Sequence, residues 1–382
     1  MEYREEQYYK KGVDYSELGR FSEALLFLEK AIAINPDFDK AWINRGVALG
    51  SLGRNSEAVD SFDKAITINP GYAEVWINRG VALDELGRHE EALISFDKAI
   101  AIHPDYPETW YNRGLALGHL GRYKEAVDSC DKVITIMPDY DGVWSLRGRA
   151  LLSLELHTEA VDSYDKAIAI MLYDADAWDG RGVALDCQGL HAEAVASYDK
   201  AIAIMPYDAV AWDGRGLAQL SLGQYAEAIA SYDKAIAINP NYANSWRNRG
   251  FALITLGLHE EAVESYDKAI AINPNYAEAW RNRGIALDEL KRHEEALASF
   301  DKAIAIHPDY PETWYNRGLA LGHLGRYKEA VDSFDKAITI NPDYAEAWIN
   351  RGVALDEIGR HEEALASFDK AKSIKSVNRN KG

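Results

Sequence analysis

The side chains of this 382-residue sequence best suited to chemistry are ten histidines and two cysteines. A metal site would need imidazoles and carboxylates converging at short range, and a helical zinc motif needs two histidines four residues apart. The chain carries His-Glu-Glu-Ala from His89, His293 and His361, without the second histidine. His89, His157, His191, His259, His293 and His361 fall in one slot of successive segments, and His119 and His323 are copies of each other. The histidines are thus spread by repetition, and the sequence predicts no metal ligands. Cys130 and Cys187 have no short pairing motif, so no disulfide framework is indicated. Cys130 takes a slot where sibling segments carry Phe or Tyr, a core position, while Cys187 falls on a more exposed helix position as a free thiol. There is no Walker loop, dinucleotide fingerprint or nucleophile elbow. No catalytic residue and no cofactor are expected, and an enzyme is the least favoured reading.

The charge balance narrows the partners. The chain has 42 basic and 61 acidic residues, a net charge of -19. Such a surface repels nucleic acid phosphate and anionic lipid, so neither nucleic acid nor a membrane is an expected partner. The start, Met-Glu-Tyr-Arg-Glu-Glu-Gln, is charged and lacks the apolar core of a signal peptide. No apolar run reaches bilayer-spanning length. The simplest expected compartment is the cytoplasm.

The elements that would position any site follow from one period. Trp recurs at 42, 76, 110, 144, 178, 212, 246, 280, 314 and 348, always 34 residues apart, with Tyr8 one unit earlier. A Gly follows each aromatic by four residues (Gly12, Gly46, to Gly352), and an Ala follows each Gly by twelve (Ala24, Ala58, to Ala364). This frames eleven units: 5–38, 39–72, 73–106, 107–140, 141–174, 175–208, 209–242, 243–276, 277–310, 311–344 and 345–378, with tails at 1–4 and 379–382. In unit 39–72 the pattern predicts a first helix from Ala41 to Leu52, stopped by Gly53 as a left-handed cap. A second helix follows from Ser56 to Ile68, with Ala58, Phe62, Ala65 and Ile66 as its buried stripe, ended by Asn69-Pro70. Gly46 and Ala58 are small because the two helices cross closely there.

The pattern Trp-x-x-x-Gly, then Ala-x-x-x-Phe/Tyr, then Pro at a 34-residue period resembles the tetratricopeptide repeat. That resemblance implies an all-α fold, a right-handed superhelical α-solenoid of tandem helix-turn-helix repeats. It also implies a concave groove lined by first helices, in which extended peptides or partner segments commonly lie. One departure is Arg before the Gly, from Arg45 to Arg351, where the family mostly carries Leu. An Asp follows each Arg by eighteen residues, as in Arg45 with Asp63 and Arg351 with Asp369, and the first unit has Lys11 and Glu29. This suggests an ion pair between the helices of one repeat, with the Arg stem as apolar filler.

The slot two after each Trp is Asn at Asn44, Asn78, Asn112, Asn248, Asn282, Asn316 and Asn350, interrupted at Leu146, Gly180 and Gly214. It resembles the asparagine ladder in the repeat region of the O-linked N-acetylglucosamine transferase, where amides hold a peptide backbone. An amide both donates and accepts, so it can read main chain. The alternative is that these amides bond neighbouring helices and set superhelical pitch. The preceding slot would tune specificity: Ile43, Ile77 and Tyr111 apolar, Asp179 and Asp213 acidic, Arg247 and Arg281 basic, then Tyr315 and Ile349. The lysine-rich carboxylate clamp of chaperone-binding relatives is absent, since its slot after the Gly is Val, Leu, Ile, Phe or Arg149.

Residues 103–136 and 307–340 differ only at Cys130 versus Phe334 and Val133 versus Ala337, and read as a block duplication with an offset of 204. The central units depart from the pattern at Glu155, Leu172, Gly180 and Gly214, which reads as drift or as a flexible joint. The last unit replaces Ile with Lys372 and Pro with Ser376, with no long capping helix expected and apolar surface near Phe368 and Ile374. The expected function is a non-catalytic scaffold binding a protein or peptide partner in its groove, as a monomer or with weak end-to-end association. The alternatives are a regulatory or sensor subunit presenting a partner enzyme, and a self-assembling spacer.

Overall fold

The computed structural model describes residues 2–379. Among the described residues there are 22 α-helices, paired in tandem, and no strand. The chain divides into two units, residues 1–190 and 191–382. Within each unit every helix packs on its neighbours in sequence, and the first helices of successive repeats also meet.

The repeat 39–72 shows why. Its first helix is Asp39–Ser51 and its second Asn55–Ile68. Gly53 at φ 72° lets the chain turn back, and the Arg54 N–H donates to the Leu49 carbonyl at 2.9 Å. A Cβ built on Gly46 would stand 2.5 Å from Cε1 of Phe62, so only glycine admits the ring. Ala58 is fully buried opposite it, and Leu49 with it. Leu52, expected as the last residue of the first helix, instead caps it and is 39% exposed. Trp42 is half-buried, and its indole N–H donates to the Pro36 carbonyl at 2.8 Å. The bond survives at Leu172, whose carbonyl accepts from Trp178 at 3.0 Å, because it uses backbone and not the proline ring.

The Arg–Asp pairing expected within a repeat is corrected. Asp63 pairs with Arg79 of the next repeat, Oδ1 to Nε 2.6 Å, and Asp335 pairs with Arg351. Arg45 pairs with Glu29 of the repeat before it, at 3.3 Å. Within its own repeat Arg45 donates instead to Ser61, at 2.6 Å, as Arg79 does to Ser95 at 2.7 Å. Serine is two residues closer to the crossing than aspartate, so one guanidinium bridges the second helices of two successive repeats. The arginine stems are largely covered, as the filler reading required: Arg79 is 16% exposed and Asp63 50%.

At two of the central departures, Gly180 and Gly214, the slot two after Trp leaves room for a tyrosine ring. The slot two after Trp faces the ring on the preceding repeat's second helix. A Cβ at Gly180 would collide with the Tyr164 ring, and one at Gly214 would lie 2.7 Å from Tyr198. Tyr164 also sits farther from its own repeat's glycine, 2.8 Å from a Cβ at Gly148, than Phe62 does from Gly46. Where Cys130 leaves room, Leu146 fills it, with Cδ2 3.3 Å from a Cβ at Gly114. Glu155 takes φ 59° in the place of the turn glycine, and Lys291 does the same at φ 61°.

The last helix, His361–Arg379, runs five residues past its siblings, because Ser376 stands where proline would have stopped it. Ile374, expected to be exposed, is covered at 5%, while Phe368 is 36% and Leu365 63% exposed.

Candidate functional site

The first helices Ala209–Ser221, Ala243–Thr255 and Ala277–Glu289 line a hollow of about 480 Å³. It gathers five residues singled out from the sequence: Asp213, Arg247, Asn248, Arg281 and Asn282. It also includes Leu217, Asn244, Phe251 and Glu278, which sequence reasoning missed.

Charge in the hollow is uneven. Arg247 lies 3.3 Å from Glu278 through Nη1, and donates from Nε to the Tyr276 hydroxyl at 3.0 Å. Arg281 reaches the same Glu278 oxygen at 4.0 Å, so one carboxylate faces two guanidiniums. Burial pulls the Arg247 pKa down, but Glu278 and Tyr276 outweigh it and the pKa is raised, so its charge is secure. The Tyr276 hydroxyl donates to Asn244 at 2.9 Å, fixing the aromatic between the two helices. One repeat earlier Asp213 accepts from Ser245 at 2.6 Å, and burial raises its pKa in spite of that bond and the nearby Arg247.

The apolar part of the surface is the slot after the core glycine. Val47, Val81, Leu217, Phe251 and Val353 are 38–47% exposed. The signal was present in the sequence, as an apolar residue following nearly every core glycine, but it was used only to exclude a lysine clamp. These residues stand on separate first helices, each at the same slot of its repeat.

The other expected residues are placed as follows. The Asn44 amide donates to the Lys40 carbonyl at 2.9 Å and to Tyr9 at 3.3 Å. The Asn350 amide donates to the Glu346 carbonyl at 3.1 Å and to Tyr315 at 3.0 Å. Asn248 and Asn282 are 7% exposed. Asn78, Asn112, Asn316, Asp179, Ile43 and Ile349 are half-buried, and Ile77 is buried. Tyr111 packs on Tyr140 with ring centroids 5.3 Å apart, and Tyr315 on Tyr344 at 5.0 Å; burial raises the pKa of both Tyr111 and Tyr315.

Matches to family models follow this geometry. Models described as tetratricopeptide repeat or TPR repeat match residues 6–38, 39–72, 107–140 and 311–344; 83–121 and 216–257; 146–209 and 252–311; and 61–94 and 333–366. Together they span 6–140, 146–209 and 216–366. The chain belongs to the tetratricopeptide repeat family. No curated protein matches it significantly. Among solved structures it is similar to MamA (26% identity, covering 43% of this chain and 96% of that one, TM-score 0.42). It is also similar to YrrB, described as a TPR protein with an unusual peptide-binding site (26%, 49% and 96%, 0.45). A tetratricopeptide repeat protein from Parabacteroides merdae matches at 20% identity (74% and 99%, TM-score 0.46). The tetratricopeptide repeats support a protein-interaction scaffold in general terms.

The thiols of this repeat protein are poor nucleophiles. Cys130 is fully buried and its pKa is pushed up to about 12 by that burial. Cys187 is exposed, but partial burial of the thiol and then Asp186 raise its pKa. No described helix is long and apolar enough to cross a membrane. The expectation that repetition keeps the histidines apart is corrected. Packing of successive repeats brings His119 to His89 and Asp84, and His323 to His293 and Asp288.

Proposed function

We propose that this tetratricopeptide repeat chain is a non-catalytic scaffold that holds an extended partner segment against the first helices at 209–289. A carboxylate of that segment would be received between Arg247 and Arg281, and an apolar side chain would lie against Leu217 and Phe251. The observation that carries this reading is the hollow itself, where two guanidiniums share one glutamate beside 41% and 43% exposed apolar side chains. Arginine forks suit a carboxylate because they offer paired donors. The amides of Asn248 and Asn282 lie deeper, where they position the surface more than they touch a ligand. For Asn44 and Asn350 the bonds to their own helix and to a tyrosine of the preceding repeat favour the pitch-setting role.

The test is selection from a random peptide library followed by fluorescence anisotropy on the selected sequences. Selected peptides are expected to carry an Asp or Glu near an aromatic or branched residue. Charge-assisted hydrogen bonds are worth about 1.5–3 kcal/mol, so Arg247→Gln with Arg281→Gln is expected to weaken binding roughly ten- to a hundred-fold. Selected peptides without an acidic residue, or binding unchanged in the double variant, would move the site elsewhere on the array.

A further inference from the structure

We propose that the chain holds two structurally equivalent sites for a borderline divalent transition metal of the zinc class, one at Asp84, His89 and His119 and one at Asp288, His293 and His323. In each site the carboxylate lies near the end of a first helix, and one histidine opens the second helix of the same repeat. The other histidine ends the first helix of the next repeat. Each residue offers one ligand atom, and these atoms lie within 4.8 Å of one another.

The distances are close to those of a coordination sphere. Asp84 Oδ1 is 2.7 Å from His89 Nδ1, and Asp84 Oδ2 is 3.5 Å from His119 Nδ1. In the second site the corresponding distances are 2.7 Å and 3.2 Å. Ligands about 2.0–2.2 Å from a tetrahedral ion stand roughly 3.3 Å apart, so small side-chain rotations complete the sphere. The imidazole rings are tilted to each other by 47° and 44°, with centroids 4.6 Å and 4.8 Å apart, and both Nδ1 atoms of each pair face one carboxylate. Ligation through Nδ1 would replace the His89–Asp84 contact, the neutral ring then carrying its proton on Nε2. Two imidazoles and one carboxylate are the donor set of zinc-class ions, and three protein ligands leave a position for water or a partner's side chain.

Access and charge are favourable. His119 and His323 are each 52% exposed, while the Asp84 and Asp288 side chains are 19% and 17% exposed, so the carboxylates are held and the outer histidines are reachable. Nearby cations are engaged elsewhere: Arg88 by Glu91 at 2.7 Å and Arg292 by Glu295 at 2.7 Å.

The molecule also contains its own controls. The last repeat repeats the pair, His361 to Asp356 at 2.6 Å, but among the described residues no third ligand joins it. His157 and His259 occupy the same slot as His89, but five residues earlier stand Leu152 and Ile254 in place of aspartate, and their Nδ1 atoms have no partner. The site therefore needs both the aspartate and the histidine of the next repeat, and among the described residues only two places have all three.

The test is titration of the full metal-free chain with Zn²⁺ by isothermal calorimetry, repeated with Co²⁺ by visible absorption. Two equivalents per chain are expected. His119→Ala and His323→Ala should each remove one equivalent and together both, while His361→Ala should leave two. Asp84→Asn, nearly isosteric, should also remove one, and it keeps the test decisive if the alanine variants lose their circular dichroism. Absence of stoichiometric binding, or two equivalents surviving His119→Ala with His323→Ala, would overturn the proposal.

Discussion

Residues 103–136 and 307–340 are nearly the same sequence placed in two contexts, and their few differences act together. In the second copy Phe334 lies 2.5 Å from the position of a Cβ at Gly318. Asn350 of the next repeat donates to the Tyr315 hydroxyl at 3.0 Å. In the first copy Cys130 is smaller, and the volume is restored by Leu146 from the next repeat and by Val133, both buried with it. Leu146 cannot donate, and the Tyr111 hydroxyl instead lies 3.0 Å from where a Cβ at Gly142 would stand. Glycine at 142, at φ 73°, opens the first helix Val143–Ser153, which is shorter than its counterpart Ala345–Glu357. One core substitution is thus answered across three positions, two of them in the next repeat. The core of a repeat array is shared across its boundaries, so a repeat cannot be judged by its own sequence alone.

The largest expected effect tests that sharing directly. Cys130→Phe restores the second copy's residue but meets Leu146, and overpacking of this kind costs about 1–3 kcal/mol. Adding Leu146→Asn should recover most of the loss, with a coupling of about 0.5–3 kcal/mol in a double-mutant cycle by urea denaturation. Simple additivity of the two substitutions would mean that the two positions do not share one space.

A second difference between the copies lies in the turn before the shared block. Gly87 has φ 72°, and at the same offset of 204 residues Lys291 has φ 61°. The left-handed region costs an L-residue about 1–2 kcal/mol. Lys291→Gly should therefore raise the stability of its unit by about 1 kcal/mol, and Gly87→Lys should lower it similarly, read by thermal melts of the full chain. Equal melts in both directions would mean that the turn is not under strain at Lys291.

The period, the helix pairing and the close crossing at Gly46 and Ala58 were legible in the sequence because each is local and repeated many times. Gly46 under Phe62 is a contact within one repeat, and most repeats restate it with a ring, though Gly12 meets Leu28 and Gly114 meets Leu146. What was not legible crosses a boundary. Asp63 was assigned to Arg45 because eighteen residues fit one repeat, whereas the packing gives Asp63 to Arg79 and Ser61 to Arg45. The rings beside Gly180 and Gly214, Tyr164 and Tyr198, lie one repeat back. His119 read as a lone copy because its neighbours are thirty and thirty-five residues away in sequence. The basic step at Arg247 and Arg281 was visible as residue types, but Glu278, which both arginines share, needed the fold. A pair constraint with a separation near one period leaves no mark on a single unit, and only comparison of adjacent units exposes it.

The smallest expected effect concerns a feature on which the copies agree. Arg113 meets Asp97 at 2.8 Å and Arg317 meets Asp301 at 2.7 Å, both tying a repeat to its predecessor. The arginines are 17% and 21% exposed, but the aspartates are 52% and 53% exposed, so water and salt screen the attraction. Pairs of this kind contribute about 0–1 kcal/mol. Asp97→Asn and Asp301→Asn should each cost less than about 1 kcal/mol, with the difference shrinking further in about 1 M salt, where the screening length is only about 3 Å. Arg113 keeps its bond to Ser129 at 2.7 Å, and Arg317 its bond to Ser333 at 2.6 Å, so neither guanidinium is stranded. If one copy lost several kcal/mol and the other did not, the ladder would be carrying a load that differs between the two contexts. Equal and small losses would leave the difference between the copies where Cys130 and Leu146 put it, in the shared core.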